Sequence, residues 1–138
     1  MNRRGTMAFY VECLLLTVFL LALSAVLVQL FSAARAEALQ ARRLTDAQRL
    51  AQDVSEEFYA ARDEAEFCRL AGLDAPADLT GAGSETERIG PSGDGYRLLV
   101  RLTEEPGGTG HLVTLHLAVR ALDDTEVCSL QFTGYWPA

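Results

Sequence analysis

The sequence contains no lysine: all 12 basic residues are arginines, set against 19 acidic ones for a net charge of −7. Nucleic-acid binding requires a basic face, so this balance argues against a nucleic-acid partner. Histidine is nearly absent too, with two residues, His111 and His116. Their odd spacing in an alternating segment sends them to opposite faces, so they cannot share a metal. The three cysteines form no Cys-x-x-Cys pair. No motif unites a nucleophile, a base and an orienting group. No catalytic residue, metal site or cofactor is expected, and the chain is not read as an enzyme. The glycine runs at 90–95 and 107–110 lack the strand–glycine–helix context of a phosphate cradle and read as turns. Adjacent acids such as Glu56-Glu57 and Asp123-Asp124 read as solvated.

What is present is unevenly distributed. The chain has 138 residues, 49% of them hydrophobic, which suits one folded domain rather than a disordered chain. Residues 1–36 hold Arg3, Arg4, Arg35 and a single acid, Glu12, for a net +2; the remaining residues carry −9 (9 arginines, 18 acids). From Ala8 to Phe31 runs AFYVECLLLTVFLLALSAVLVQLF, with Glu12 its only charge. About 24 helical residues extend roughly 36 Å, more than the hydrocarbon core of a bilayer. The stretch is apolar all round, unlike an amphipathic surface helix. Arg3 and Arg4 precede it, so the positive-inside rule predicts a cytoplasmic N-terminus and an extracytoplasmic body, contacting membrane lipid between them. Ala34-Arg35-Ala36 resembles a signal-cleavage site, but the apolar stretch exceeds an ordinary h-region and contains Glu12. A retained helix is the preferred reading. A carboxylate inside a membrane helix is costly. Glu12 either reaches the headgroups or becomes protonated, or it meets a positive charge on a neighbouring chain.

From Ser32 to Ala71 there is no glycine or proline, and helix formers dominate. Ala47, Leu50, Ala51, Val54, Phe58, Ala61, Ala65 and Cys68 recur at steps of three and four, one helical stripe. Gly72 and Pro76 mark a stop. The membrane and stem segments therefore predict one rod of about 65 residues, on the order of 100 Å. A second helix capped at Thr45-Asp46, with a bend there, is the alternative to the continuous rod. The stripe is expected to cover this chain's own sheet rather than a coiled-coil partner.

Residues 73–95, rich in Gly, Pro, Ser, Asp and Thr, read as a loop with room for a short strand near Thr86–Ile89. Three alternating segments follow within 96–138, around Tyr96–Thr103, Val113–Arg120 and Cys128–Thr133. Their short connections predict an antiparallel meander. The expected fold is α+β: a leader over 1–5, a transmembrane helix over 6–31, an amphipathic stem over 32–72, and a three- to four-stranded antiparallel sheet under it. Cys13 reads as a small apolar residue of the membrane helix. Cys68 and Cys128 both fall on inward faces; a disulfide between them and two buried free thiols are both open. The aromatic end, Tyr135-Trp136, is expected to cover the sheet or its edge, with a partner contact as the other use.

Arg3-Arg4-Gly5, Glu12, the unbroken helix and the following sheet together resemble the type IV pilin and pseudopilin superfamily. The resemblance implies cleavage by a prepilin peptidase between Gly5 and Thr6. It implies that Glu12 pairs with the N-terminal amine of an adjacent sister subunit. Two features depart from the family: Glu12 is the seventh residue after such a cut, where the family usually has the fifth, and Thr6 replaces the usual Phe or Met. The implied function is that of a structural subunit in a cell-envelope filament or a type II secretion-like apparatus. The alternative is an unprocessed single-pass anchor carrying a small extracytoplasmic binding domain.

Overall fold

The computed structural model describes residues 3–73 and 79–137. Helix α1 runs Arg3–Ala60 and α2 runs Glu64–Ala71; the strands are β1 Ser84–Ile89, β2 Gly95–Pro106, β3 Gly110–Ala121 and β4 Glu126–Pro137. The chain forms two compact units, divided between Gln40 and Ala41.

The first unit is the N-terminal part of α1. Its large apolar side chains are uncovered: Phe9 is 62% exposed, Leu14 65%, Leu21 66% and Phe31 72%. This segment is long and apolar enough to cross a membrane, and its most apolar window has no burial within the chain. Water would be a poor surrounding for so continuous an apolar surface. The few hydroxyls turn inward on the backbone: Thr17 Oγ1 donates to the Cys13 carbonyl at 2.8 Å and Ser24 Oγ to that of Leu20 at 2.9 Å. Such bonds remove the need for water at these positions.

In the second unit, the end of α1 and α2 pack on a four-stranded antiparallel sheet in the order β1-β2-β3-β4. The period-2 pattern sets the pairing, with Leu98 opposite Val119, Val100 opposite Leu117 and Leu102 opposite Leu115. These side chains form one apolar face, covered by Ala47, Leu50, Ala51, Val54 and Phe58 of α1. The fold is thus α+β, as the alternation and the helical stripe predict. Gly134 lets α1 come close: a Cβ there would lie 2.9 Å from Phe58 Cε1.

Three expectations need correction. The stem is not one helix to Gly72. It stops at Ala60 and restarts at Glu64, because Asp63 and Glu66 form a capping box. Asp63 Oδ1 accepts from the Glu66 amide at 2.7 Å, and Glu66 Oε2 from the Arg62 amide at 3.0 Å. Gly72 closes α2 in the left-handed region, φ 65°, as expected. Thr45-Asp46 neither caps nor breaks the helix: α1 runs through both, and Thr45 Oγ1 bonds back to the Ala41 carbonyl at 2.9 Å. Finally, the expected loop over 73–95 holds a full six-residue strand, β1, rather than a short stub. Pro76 lies outside the described residues.

Candidate functional site

Glu12 sits on the exposed apolar part of α1. The surface beside it is a groove lined by Leu15, Leu16, Val18, Phe19 and Ala22. The steps 12, 15, 16, 19 and 22 put these residues on one helical face. Glu12 is exposed, and among the described residues it has no ion-pair or hydrogen-bond partner. In a hydrocarbon surrounding, an unpaired carboxylate requires protonation, a path to the headgroups, or a cation. The backbone of Arg3, Arg4, Gly5 and Thr6 belongs to α1, while their side chains lie outside the described residues.

In the second unit, the polar chemistry fastens the β1–β2 and β3–β4 turns to α1. Asp46 is 4% exposed, the one buried acid among the described residues. It accepts from Ser92 Oγ and, at 3.3 Å, from the Tyr96 hydroxyl. Arg42 donates to the Ser92 carbonyl at 2.8 Å, and Arg43 pairs with Asp123 at 3.2 Å. Gly90 makes the approach possible, since a Cβ there would lie 2.8 Å from Tyr96 Cε2 and 2.9 Å from Asp46 Oδ2. Burial, and then the Asp46 carboxylate, push the Tyr96 hydroxyl above its ordinary pKa. Hydrogen bonds from Thr125, helped by Arg43, hold Asp123 below the ordinary carboxylate range. Farther along, Arg88 on β1 reaches Glu57 of α1 and the Ala71 carbonyl ending α2, both at 2.8 Å. These contacts organise the fold; they present no reacting group.

The sequence reading of this region was incomplete. Glu57 is engaged by Arg88 rather than solvated, whereas Glu56 is exposed as expected. Asp123 and Asp124 are exposed but each holds an arginine, Arg43 and Arg97 respectively. The signal for Asp46 was an acid immediately before Ala47, the first residue of the helix stripe. Its partners lie 46 and 50 residues away, beyond any local pattern.

Cys13, Cys68 and Cys128 are all free thiols. The structure holds no Cys68–Cys128 bridge; Cys68 is buried and Cys128 half-buried. The geometry explains this. Phe67, next to Cys68, stacks edge-on against Phe58 at 5.8 Å, and Phe58 overlies Gly134. Gly134 lies six residues along β4 from Cys128, about 20 Å at the strand rise. A disulfide needs its Cα atoms within roughly 7 Å. Burial raises both thiols above their ordinary pKa, with Glu64 and Glu126 adding to the effect at Cys68 and Cys128 respectively. Trp136 is 6% exposed and packs against Phe58 at 5.6 Å, so it covers the core, whereas Tyr135 is 52% exposed.

His116 stands opposite Arg101 and Gln131, while His111 stands opposite Pro106 and Trp136. The two imidazoles occupy opposite-parity positions of β3, as the spacing predicts. Among the described residues, no group of three or more His, Cys, Asp or Glu is arranged to hold a metal ion. Comparison of the chain with protein-family models, with curated proteins and with solved structures finds no match.

Proposed function

We propose that this chain is a pilin-like or pseudopilin-like structural subunit of a cell-envelope filament or secretion apparatus, assembled through its N-terminal helix. The observation that supports it is Glu12, a single acid on an otherwise apolar, wholly uncovered helix that continues into the stem of a small sheet domain. Pairing Glu12 with the N-terminal amine of a sister subunit compensates both charges. It also selects one helix register, because any other leaves two charges poorly solvated. In this reading Arg3 and Arg4 keep the leader cytoplasmic. A prepilin peptidase cuts between Gly5 and Thr6, and the sheet domain lies outside. The helix is stored in lipid and later packed against sister helices.

Mass determination of the mature chain from native membranes tests the reading. It predicts an N-terminus at Thr6. An intact Met1-Asn2-Arg3 start contradicts processing and favours the plain single-pass anchor.

A further inference from the structure

β4 is the last strand of the sheet, and the phase of the hydrogen bonding shows which of its backbone groups are unpaired. The Gly107 amide donates to the Gly110 carbonyl at 2.8 Å, so even-numbered residues of β3 turn their backbone groups toward β2. The Ala121 amide donates to the Thr125 carbonyl at 2.9 Å, so odd-numbered residues of β3 turn theirs toward β4. The register sets Val113, Leu115, Leu117 and Val119 opposite Gly134, Phe132, Leu130 and Cys128. The residues between them, Ser129, Gln131, Thr133 and Tyr135, therefore direct their amides and carbonyls to the free edge. Among the described residues, these backbone groups have one partner: the Tyr59 hydroxyl donates to the Thr133 carbonyl at 3.4 Å.

The two edges of the sheet are protected differently. β1 has six residues and carries Glu85, Glu87 and Arg88. Charges on a short edge strand deter pairing. β4 has twelve residues, and no side chain from Val127 to Pro137 is charged. On its helix side the core ends in a margin. Leu130 is 38% exposed, and Cys128 and Phe132 are half-buried. Tyr59 of α1 stands exposed beside Thr133 and Gly134.

A row of alternate amides and carbonyls is satisfied by another extended backbone. We infer that the free edge of β4, from Ser129 to Tyr135, docks an extended segment of another protein as a fifth, antiparallel strand. The row is about 20 Å long at the strand rise. The segment it fits is uncharged, with apolar side chains at the alternate positions that cover Leu130 and Phe132. Small polar side chains suit the other positions, beside Ser129, Gln131 and Thr133. Tyr59 yields its bond to Thr133 when the strand arrives. The charges of β1 exclude that strand of a second copy as the occupant. β4 of a second copy has a suitable composition, but antiparallel pairing would set the two stems end for end. Arg43 lies by the start of β4, at Asp123, and Phe58 lies over Gly134 near its end. Sister subunits of the assembly proposed above run alike. Apart from this choice of occupant, the inference is independent of that reading and of Glu12.

Residue-resolved amide exchange of the purified full-length chain in detergent micelles tests this, with and without the end-blocked peptide Thr-Val-Thr-Leu-Thr-Val-Thr. The expected result is an alternating signature. Exchange slows at Ser129, Gln131, Thr133 and Tyr135, and is little changed at Leu130 and Phe132, whose amides already face β3. Gln131→Pro removes one outward amide and no bond to β3, so the sheet is retained and the peptide binds about fivefold more weakly, the worth of one hydrogen bond. N-methylation of the peptide amides on the edge that faces β4 abolishes binding to the unaltered chain, and methylation of the opposite edge does not. Absence of alternating protection with peptide in excess, or binding indifferent to which edge is methylated, overturns the inference. Protection of the odd-numbered amides without peptide, together with a two-copy species, assigns the edge to a second copy and also overturns it. Every one of these outcomes leaves the test of Glu12 unaffected.

Discussion

Asp46 shows how far a single residue's role can lie from its local sequence. In the chain it follows Thr45 and suggests a helix start. In the structure it is a helical residue that fastens the Gly90–Asp94 turn through Ser92 and Tyr96. Asp46→Ala leaves the Tyr96 hydroxyl without its acceptor and Ser92 with Asp94 in its place, and is expected to cost about 1–3 kcal/mol, read as a lowered midpoint of thermal unfolding. Tyr96 adds a pH dependence. Its pKa is raised in the folded chain, so the neutral hydroxyl is favoured there. Below about pH 10 the group is neutral in both states. Above that, the unfolded chain ionises first, and stability falls as pH rises. Denaturant midpoints between pH 9 and 11 should therefore drop, and less steeply in Tyr96→Phe. The cysteines give a third expectation at this scale. Alkylation of the unfolded, unreduced chain should modify both Cys68 and Cys128; protection of the pair would show the bridge that the geometry disfavours.

At the scale of elements, periodicity carried most of the fold. The strand pairs Leu98–Val119 and Val100–Leu117 follow from alternation, and the stripe from Ala47 to Phe58 follows from helical spacing. The break between α1 and α2 did not. Breakers were sought as glycine and proline, whereas the interruption comes from side-chain capping by Asp63 and Glu66. Asp63-x-x-Glu66 was the available signal. Asp63→Ala should cost about 1 kcal/mol and loosen α2, seen as faster amide exchange over Glu64–Ala71 with the sheet amides little changed. β1 was under-read for a different reason. Its inward positions are Ser84, Thr86 and Arg88, so the alternation there is not hydrophobic. The junction of α1 with β4 is closely packed. Phe58 has no exposure, and Phe58→Ala is expected to cost about 3–5 kcal/mol. Gly134→Ala should also destabilise, since its Cβ has no room unless the Phe58 ring moves.

For the whole molecule, the sequence averages conceal two units with different surroundings. All but one (Glu37) of the −9 carried beyond residue 36 falls in the sheet unit, whose acids in part pair with arginines: Glu57 with Arg88, Asp123 with Arg43, Asp124 with Arg97. The hydrophobic excess is largely the uncovered part of α1. That part was legible as a helix long and apolar enough to cross a membrane, because length and apolarity are read directly from the chain. The candidate site was legible only as an exception, one acid where the environment disfavours it. In the proposed reading the partner of Glu12 is a neighbouring chain, and no pattern within one chain encodes that arrangement. The central claim is that Glu12 joins sister helices. The direct measurement is co-purification of two differently tagged full-length copies from native membranes, comparing the unaltered chain with Glu12→Ala. The account predicts that Glu12→Ala inserts normally but loses its association with the second copy. Association at the unaltered level, with normal insertion, would contradict it.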